Sequence, residues 1–276
     1  MEDSLNRIFE ELHWFSRIDF SSYKCSHSEK RLAERMAILK IEEASEYLKY
    51  LRADPSECER LIEALAIKVS SFFRNPIVFE IIAQRVLPQI IKRNKRDGIC
   101  EIRVWSAGCA DGEEAYSIAI LICEAALKET ARCHPYIFAT DISQDALNTA
   151  GKGIYQRKSL ENTKLDIFDR YFTDRGDAYE VLPFIQKMVR FSRDDLSSKD
   201  RIAPAESVFG NFDLVLCRNV LIYFSREHQK RICDKLYKTL NKGGFLILGD
   251  SESPDPDTER NLIAIDSRNR IYQKSV

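Results

Sequence analysis

The spacing of apolar positions over the first 85 residues predicts helices joined by short polar turns. Leu32, Met36 and Leu39 recur on one face of the segment SEKRLAERMAILK, as expected for an amphipathic helix. The sequence DPSE, which begins at Asp54, combines a cap residue, a proline and a glutamate in the spacing of a helix start. This stretch contains no glycine and no clear strand-like alternation. We therefore expect an all-α N-terminal domain at residues 1–85.

The charged residues of the same segment have two interpretations. Arg31 and Arg35 lie largely off the apolar face, and Lys24 is close to them in sequence. The simpler interpretation is a packed helix with a solvated charged face. The functional interpretation is a docking face for an acidic partner.

From residue 101 the pattern changes to short apolar runs that alternate with amphipathic segments. This alternation is typical of a parallel, doubly wound α/β sheet, which we expect in a second domain at residues 86–276. The predicted strands are residues 102–105, 136–140, 214–217 and 245–249. The predicted helices are residues 113 to about 128, 143 to about 150, and 225 to 240, the last closed by Gly243 and Gly244.

The alternation is interrupted between about residue 153 and about residue 190. Apolar pairs at residues 171–172 and 179–182 flank the polar sequence TDRGD, which predicts a small hairpin. We expect an antiparallel β insertion beside the main sheet. Residues 253–260, rich in Pro, Asp and Ser, predict a surface loop before a last strand at residues 270–274.

Charge and composition narrow the class of protein. The formal net charge of −1 argues against a nucleic-acid binder and favours protein or small-molecule partners. No apolar run approaches the ~20 residues that span a bilayer, so we expect no membrane insertion and a cytoplasmic location. The 8 cysteines form no CxxC pair, which favours reduced thiols over a disulfide framework or a zinc site. We expect no metal centre.

Candidate ligand-binding residues follow three of the predicted strands. The small-residue turn in VWSAGCADGEEAYSIAI allows close approach of a ligand at Gly108, although it departs from the GxGxxG pattern of dinucleotide sites. Asp141 ends the next strand, where its carboxylate could accept hydrogen bonds from ribose hydroxyls. Taken alone, Asp141 would more simply be a cap or turn residue. Arg218 and Asn219 follow the third strand. Together these positions predict an adenosine site at one edge of the sheet.

Nine strings follow one another in a recognisable order: FSSYK, RLAERM, EYLKYLRADP, VSSFFRNPIVF, WSAGCADGEEAYSIA, ATDISQDAL, GKGIY, CRNVLIYF and GDSES. On these strings the chain resembles, from about residue 15 to residue 252, the chemotaxis receptor methyltransferase family, commonly called CheR. The resemblance implies a Rossmann-like class I methyltransferase sheet and S-adenosylmethionine as cofactor, with S-adenosylhomocysteine as product. It also implies that the β insertion docks on the receptor.

The same resemblance implies specific site residues. Arg74 and Tyr223 match residues that the family places near the transferring methyl group. Lys68 replaces an asparagine usual in the family, Ser70 a threonine and Asp195 an asparagine; only Ser70 keeps the hydrogen-bonding group. With Gly108 included, the implied cofactor-binding residues are Lys68, Ser70, Arg74, Gly108, Glu113, Glu114, Asp141, Asp195, Leu196, Arg218 and Asn219.

The function that the resemblance implies is methyl esterification of glutamate side chains on the cytoplasmic helices of chemoreceptors. A glutamate has a reference pKa of about 4.3, so it is already anionic at neutral pH and requires no general base. A non-catalytic regulator that keeps the cofactor pocket is an alternative, supported only by Lys68 and Asp195. An NAD-dependent oxidoreductase fits the α/β pattern but lacks the glycine fingerprint.

Overall fold

A computed structural model describes residues 2–16, 18–199, 201–207 and 210–275. In the N-terminal region, four helices pack around one hydrophobic core that includes Ile8, Tyr47 and Ile62. This core extends to Leu65, whereas Phe72 already packs into the core of the following α/β region. The division at residue 85 stays a prediction. The four helices are α1 (Glu2–Ser16), α2 (Cys25–Leu39), α3 (Ala44–Ala53) and α4 (Pro55–Leu65).

Helix α4 begins where its sequence predicts. The Asp54 carboxylate accepts a hydrogen bond from the Ser56 N–H at 3.0 Å, and Pro55 occupies the first helical position, where its missing N–H has no consequence. The next acidic residue, Glu57, turns inward and is fully buried. The cap thus starts the helix and sets the face on which Glu57 lies.

The charged residues of α2 have separate partners. Arg35 forms two hydrogen bonds of 2.6 Å to the Glu57 carboxylate, which also accepts the Tyr47 hydroxyl at 2.9 Å. Arg31 forms an ion pair with Glu34 on the same helix at 2.9 Å. Arg35 is therefore part of the packing between α2 and α4 and does not belong to a solvated charged face.

Beyond residue 75 a continuous helical segment leads into the sheet. It consists of α5 (Pro76–Ile81), one π turn (Ile82–Val86) and α6 (Leu87–Asn94). The main sheet has seven strands in the order β6-β2-β1-β7-β8-β10-β9. Strand β10 pairs antiparallel with both of its neighbours, β8 and β9, and the other pairings are parallel. The strands are β1 (Ile99–Ala107), β2 (Arg132–Asp141), β6 (Val189–Arg193), β7 (Phe212–Cys217), β8 (Leu240–Leu248), β9 (Leu262–Asp266) and β10 (Ile271–Lys274).

The parallel strands are connected by helices that cover the faces of the sheet. They include α7 (Glu113–Lys128), α8 (Gln144–Lys152) and α11 (Arg226–Thr239). Strands β1 and β7 are neighbours although more than one hundred residues separate them, so the strand order reverses between them. Ligands bind at such switch points, beyond the carboxyl ends of the strands. The predicted α/β sheet after a helical region is confirmed.

The predicted hairpin is also present, as part of a small antiparallel sheet in the order β3-β5-β4. Its strands are β3 (Ile154–Tyr155), β4 (Phe172–Asp174) and β5 (Tyr179–Val181). Two short helices flank it, α9 (Leu165–Tyr171) and α10 (Pro183–Gln186). The Phe72 ring contacts the rings of Tyr155 and Phe172 edge-on, which ties the small sheet to the main core.

Three details of the sequence prediction are wrong. Gly243 and Gly244 do not close α11; β8 follows the helix directly, and Gly244 lies so close to the Phe212 carbonyl that a Cβ would clash. Residues 253–260 contain a one-turn helix, α12 (Pro256–Glu259), capped by Asp255. Strands β6 and β9 were not predicted.

The seven described cysteines form no disulfide with one another, and five of them are buried. Among the described residues, none of the helices combines the length and the apolar character needed to cross a bilayer.

Candidate functional site

An open cleft lies beyond the carboxyl ends of β2, β1 and β7. The N-terminal helical region and the α/β region both contribute to its lining. Residues around Tyr23 and Leu65, from the helical region, lie across from the ends of the strands. Nine predicted site residues line it: Ser70, Arg74, Gly108, Glu114, Asp141, Leu196, Arg218, Asn219 and Tyr223. The remaining lining residues are Tyr23, Leu65, Ala66, Ile67, Val69, Ser71, Cys109, Ala110, Thr140, Ile142, Asp194, Val220 and Phe224.

The floor of the cleft is the turn after β1. The Gly108 and Cys109 N–H groups donate to the Thr140 carbonyl at 2.8 and 3.0 Å, which joins this turn to the end of β2. Gly108 has a φ of +74°, and a Cβ there would clash with the Val220 side chain. Only glycine satisfies both conditions, and it allows Val220 to pack directly against this turn.

Asp141 stands at the end of β2 with one backbone hydrogen bond on each carboxylate oxygen. Its Oδ2 accepts the Ala110 N–H at 2.8 Å and its Oδ1 accepts the Ser143 N–H at 2.9 Å. A carboxylate can accept several hydrogen bonds, including one from a donor such as a ribose hydroxyl. Burial raises the pKa of Asp141, and the backbone N–H groups partly oppose this shift.

Arg218 and Glu114 form a buried pair beside the turn. Arg218 Nη1 lies 3.2 Å from Glu114 Oε2, and its Nη2 donates to the Arg74 carbonyl at 3.0 Å. Ser106 donates to the other Glu114 oxygen at 2.8 Å, and the guanidinium lies over the Phe79 ring. Arg218 therefore fixes the backbone at Arg74, while the Arg74 side chain donates to the Val69 carbonyl at 2.9 Å near the mouth of the cleft.

The loop of residues 218–223 forms the opposite wall. Asn219 has a φ of +60°, and a 3₁₀ turn follows at Leu221–Tyr223. The Tyr223 carbonyl accepts the Lys24 N–H at 2.9 Å, so the loop is connected to the N-terminal region. Burial raises the pKa of Tyr223, which keeps its hydroxyl protonated at neutral pH.

Three predicted site residues do not line the cleft, and their cofactor roles stay predictions. Lys68 pairs with Glu63 at 2.5 Å. Glu113 is buried at the start of α7, where burial raises the pKa of its carboxyl and the Ser70 and Ser159 hydroxyls partly oppose this. Asp195 accepts the Asp19 N–H at 3.1 Å and the Ser197 N–H at 2.8 Å, as an acceptor in a turn does.

The structure adds lining residues that sequence reasoning missed. Tyr23 reaches the cleft from the N-terminal region and contacts the Phe224 ring, with 4.6 Å between centroids. The string FSSYK, which contains Tyr23, contributed to the family resemblance, but it did not identify Tyr23 as a site residue. Asp194 lies one residue before the predicted Asp195, at the end of β6, a strand that was not predicted.

Asp194 is the least satisfied of the cleft carboxylates. Its Oδ2 is buried and has no hydrogen-bond partner among the described residues. The pKa of Asp194 is raised to about 6, mainly by burial; the charge of Lys235 opposes this shift and that of Asp195 adds to it. A buried acceptor without a partner is unusual in a folded protein, and here it belongs to a residue that lines the cleft.

S-adenosylmethionine fits this set of residues. The glycine turn leaves room for a nucleoside, Asp141 and Asp194 offer acceptors for hydroxyl and amino groups, and acidic residues suit a positively charged sulfonium. Asp141 and Asn219 stand on either side of the Gly108 turn, one at the end of β2 and one after β7. The residues that would hold the cofactor are therefore Gly108, Asp141, Asp194 and Asn219.

Family models match nearly the whole chain. The CheR methyltransferase SAM-binding domain matches residues 68–270, and the CheR methyltransferase all-alpha domain matches residues 3–66. The chain is 33% identical over 235 residues to a chemotaxis protein methyltransferase of Listeria monocytogenes, covering 85% of this chain and 84% of that protein.

Two further relatives are longer proteins. An uncharacterized 104.1 kDa protein of Rhodobacter capsulatus is 32% identical over 271 residues; the match covers 98% of this chain and 27% of that protein. A probable biofilm formation methyltransferase WspC of Pseudomonas aeruginosa is 30% identical over 258 residues, which cover 92% of this chain and 57% of that protein. The chain thus spans about a quarter and somewhat over half of these two relatives. With both family models matched in order, the chain belongs to the CheR methyltransferase family and is an S-adenosylmethionine-dependent methyltransferase.

Proposed function

We propose that the protein transfers methyl groups to glutamate side chains on the cytoplasmic helices of chemoreceptors, forming methyl esters in chemotactic adaptation. The relatives named chemotaxis protein methyltransferase support this proposal. It further places the protein in the cytoplasm, where those helices lie. Because each ester removes one negative charge, methylation would reduce repulsion between neighbouring acidic helices.

The observation that carries the proposal is the chemistry of the cleft lining. Among the described lining residues there is no histidine and no cysteine in a nucleophile arrangement; the polar groups are carboxylates, amides, hydroxyls and two arginines. A glutamate substrate requires no general base, because its pKa of about 4.3 leaves it ionised at neutral pH. Such a cleft needs mainly to hold the reacting groups in line.

When bound, S-adenosylmethionine supplies an activated methyl group. Arg74, partly exposed near the mouth, orients the incoming carboxylate by charge-assisted hydrogen bonds. Tyr223 keeps a protonated hydroxyl on the opposite wall and donates to the same carboxylate. Arg218 is already paired with Glu114, so its part is to hold the backbone of Arg74.

The function is tested by radiolabelled methyl transfer to receptor-containing membranes, followed by mild base. We expect label in the receptor band that base releases as methanol, since an ester is hydrolysed and an N-methyl group is not. No label, or label that resists base, would contradict the proposed substrate.

Arg74→Ala tests the orienting role. We expect transfer at saturating cofactor to fall about 10–100-fold, because the incoming carboxylate loses its positioning group. Arg52→Ala is the control, since Arg52 is an exposed arginine paired with Glu11 on the N-terminal helices. Normal transfer by Arg74→Ala at saturating receptor and cofactor would refute the role.

We also propose that the small sheet is the receptor-docking subdomain. Deleting it would disturb the core through Phe72 and Phe172, so a surface change is the cleaner test. Ile154 is a half-exposed apolar residue on β3. We expect Ile154→Asp to weaken receptor binding and to leave S-adenosylhomocysteine binding unchanged; an equal loss of both would contradict the assignment.

The non-catalytic alternative is not favoured, because the relatives are named methyltransferases. It rested on Lys68 and Asp195, and neither residue lines the cleft. Both have partners elsewhere, Lys68 with Glu63 and Asp195 with a turn.

A further inference from the structure

One buried carboxylate outside the predicted site holds a wall of the cleft. Glu252 follows β8, is 4% exposed, and accepts four backbone hydrogen bonds. Its Oε2 accepts the Gly249 N–H at 2.6 Å and the Asn219 N–H at 2.9 Å. Its Oε1 accepts the Val220 N–H at 2.8 Å and the Ile222 N–H at 3.3 Å. Three of the four donors belong to the 218–223 loop.

This arrangement has an energetic cost that a purely structural residue would avoid. Glu252 forms no ion pair among the described residues, so only amide dipoles compensate the buried charge. In turn, these N–H groups would lack partners without the carboxylate, because the loop forms no regular ladder at Asn219 and Val220. The carboxylate and the loop therefore depend on each other.

The loop carries the residues that face the reactive end of the cleft. Asn219 is held in the left-handed region, which exposes its side chain to the lining. Val220 packs directly over Gly108, and Tyr223 lines the cleft, as Arg74 does. Asp141, by contrast, sits on a different strand and takes no hydrogen bond from this loop.

The fit around Glu252 is tight. A Cβ at Gly249 would lie 2.6 Å from the Asn219 nitrogen and 2.7 Å from Glu252 Oε2. Glycine is thus required where β8 ends, and the carboxylate has little freedom to move. A small change in its hydrogen bonding must shift the loop itself.

We propose that Glu252 is a positioning residue for methyl transfer, which sets the geometry of Asn219 and Tyr223 without touching the reacting groups. This inference rests on the proposed function. It implies that a change at Glu252 lowers turnover more than it lowers cofactor affinity, because the adenosine end of the cleft is held separately at Asp141.

The test compares Glu252→Gln with Asp213→Asn. Gln has the same shape but turns an amide NH₂ toward backbone donors. Asp213 is the control: it is a buried carboxylate near the start of β7, at the amino ends of the parallel strands, where it accepts the Arg103 N–H at 2.9 Å and pairs with Arg93 at 2.6 Å. For both variants we would measure turnover, S-adenosylhomocysteine affinity, thermal midpoint and amide hydrogen exchange of residues 219–223.

We expect Glu252→Gln to lower turnover at saturating cofactor at least ~10-fold, against less than ~3-fold in cofactor affinity, with faster exchange confined to the loop. Asp213→Asn should lower the thermal midpoint and leave turnover of the folded protein unchanged. Glu252→Asp provides a second variant if the Gln variant does not fold, with an intermediate loss because its carboxylate reaches less far.

Turnover of Glu252→Gln within twofold of the unaltered protein would overturn the inference. So would a loss that matches Asp213→Asn at equal folded fraction. If the unaltered protein transfers no methyl group to receptors, the proposed function fails instead. In that case the amide hydrogen exchange of residues 219–223 tests the inference. S-adenosylhomocysteine must slow this exchange in the unaltered protein and must not slow it in Glu252→Gln; any other result would overturn the inference.

Discussion

Buried carboxylates in the two regions of this molecule are treated in opposite ways. In the N-terminal helices, burial acts to raise the pKa of Glu57, yet hydrogen bonds from Arg35 and Tyr47 more than offset it, and the pKa is lowered. In the cleft, burial raises the pKa of Asp141 and Asp194, and backbone N–H groups or distant cations only partly oppose it. No arginine forms an ion pair with either of these two among the described residues.

The difference shows in which region a buried carboxylate has all its partners within the protein. Glu57 has every partner it needs within the helices, so its charge contributes to packing. Asp141 and Asp194 line the cleft, and Asp194 Oδ2 has no hydrogen-bond partner among the described residues, so we expect a bound ligand to interact with these carboxylates. Substitutions in the two regions should therefore separate stability from binding.

The largest expected effect is on stability, at Glu57. Glu57→Ala leaves the Arg35 guanidinium and the Tyr47 hydroxyl without their acceptor, so we expect the free energy of unfolding to fall by roughly 3–5 kcal/mol. Urea unfolding measures it, and calorimetry of the folded protein should find cofactor affinity unchanged. A weakened cofactor affinity at equal folded fraction would break the comparison.

Next in size is a binding effect at Asp141. Asp141→Ala removes a charged acceptor, which is worth about 1.5–3 kcal/mol, or about 10–100-fold in the dissociation constant of S-adenosylhomocysteine. The free energy of unfolding should change less than the affinity does. A variant that binds as tightly as the unaltered protein would remove Asp141 from the site.

Asp194→Asn is expected to stabilise the protein while it weakens cofactor binding. The folded pKa of about 6 lies above the ordinary value of 3.8, so the folded state holds a proton that the unfolded state has released. Stability from this group is therefore greatest at low pH and is lost as pH rises through about 4 to 6. The Asn variant should gain about 1–2 kcal/mol near neutral pH.

Urea unfolding at several pH values checks this prediction. The difference between Asp194→Asn and the unaltered protein should shrink as pH falls toward 4. A gain that is equal at all pH values would mean that the carboxyl does not titrate in this window.

The smallest effect is expected at Lys68. Its ion pair with Glu63 is partly exposed and lies outside the cleft lining, so Lys68→Met should change stability by no more than about 1 kcal/mol. Calorimetry should find the S-adenosylhomocysteine affinity within about threefold. A larger loss of S-adenosylhomocysteine affinity would indicate that Lys68 belongs to the cofactor site. It would also contradict the proposed separation of stability from binding between the two regions.

Much of the fold was predictable because burial leaves a pattern in the sequence. Strand β7 is buried along its whole length and was recognised as an apolar run. Strands β6 and β9 lie at the two edges of the sheet, where most positions are partly exposed. The sequence VRFSR of β6 contains no apolar run, whereas the short apolar run LIAI of β9 was overlooked. Asp195 was named from the family resemblance, which did not point to Asp194.

The residues of the candidate site also fall into two groups, those that the sequence predicts and those that it does not. Gly108, Asp141 and Asn219 follow predicted strands directly, so their convergence could be expected from the strand order alone. Tyr23 and Glu252 reach the cleft or its wall through contacts between distant segments, such as the hydrogen bond from Asn219 to Glu252. No local pattern records such contacts.

The most direct test of the account is a crystal structure of the protein with S-adenosylhomocysteine. We expect the ligand to lie over the Gly108 turn, with its ribose on the Asp141 carboxylate, Asn219 beside the sulfur and a donor on Asp194, while Glu57 keeps its bonds to Arg35. A ligand bound away from these residues, or Asp141 and Asp194 left without ligand contacts, would contradict the claim that the cleft carboxylates are completed by the cofactor.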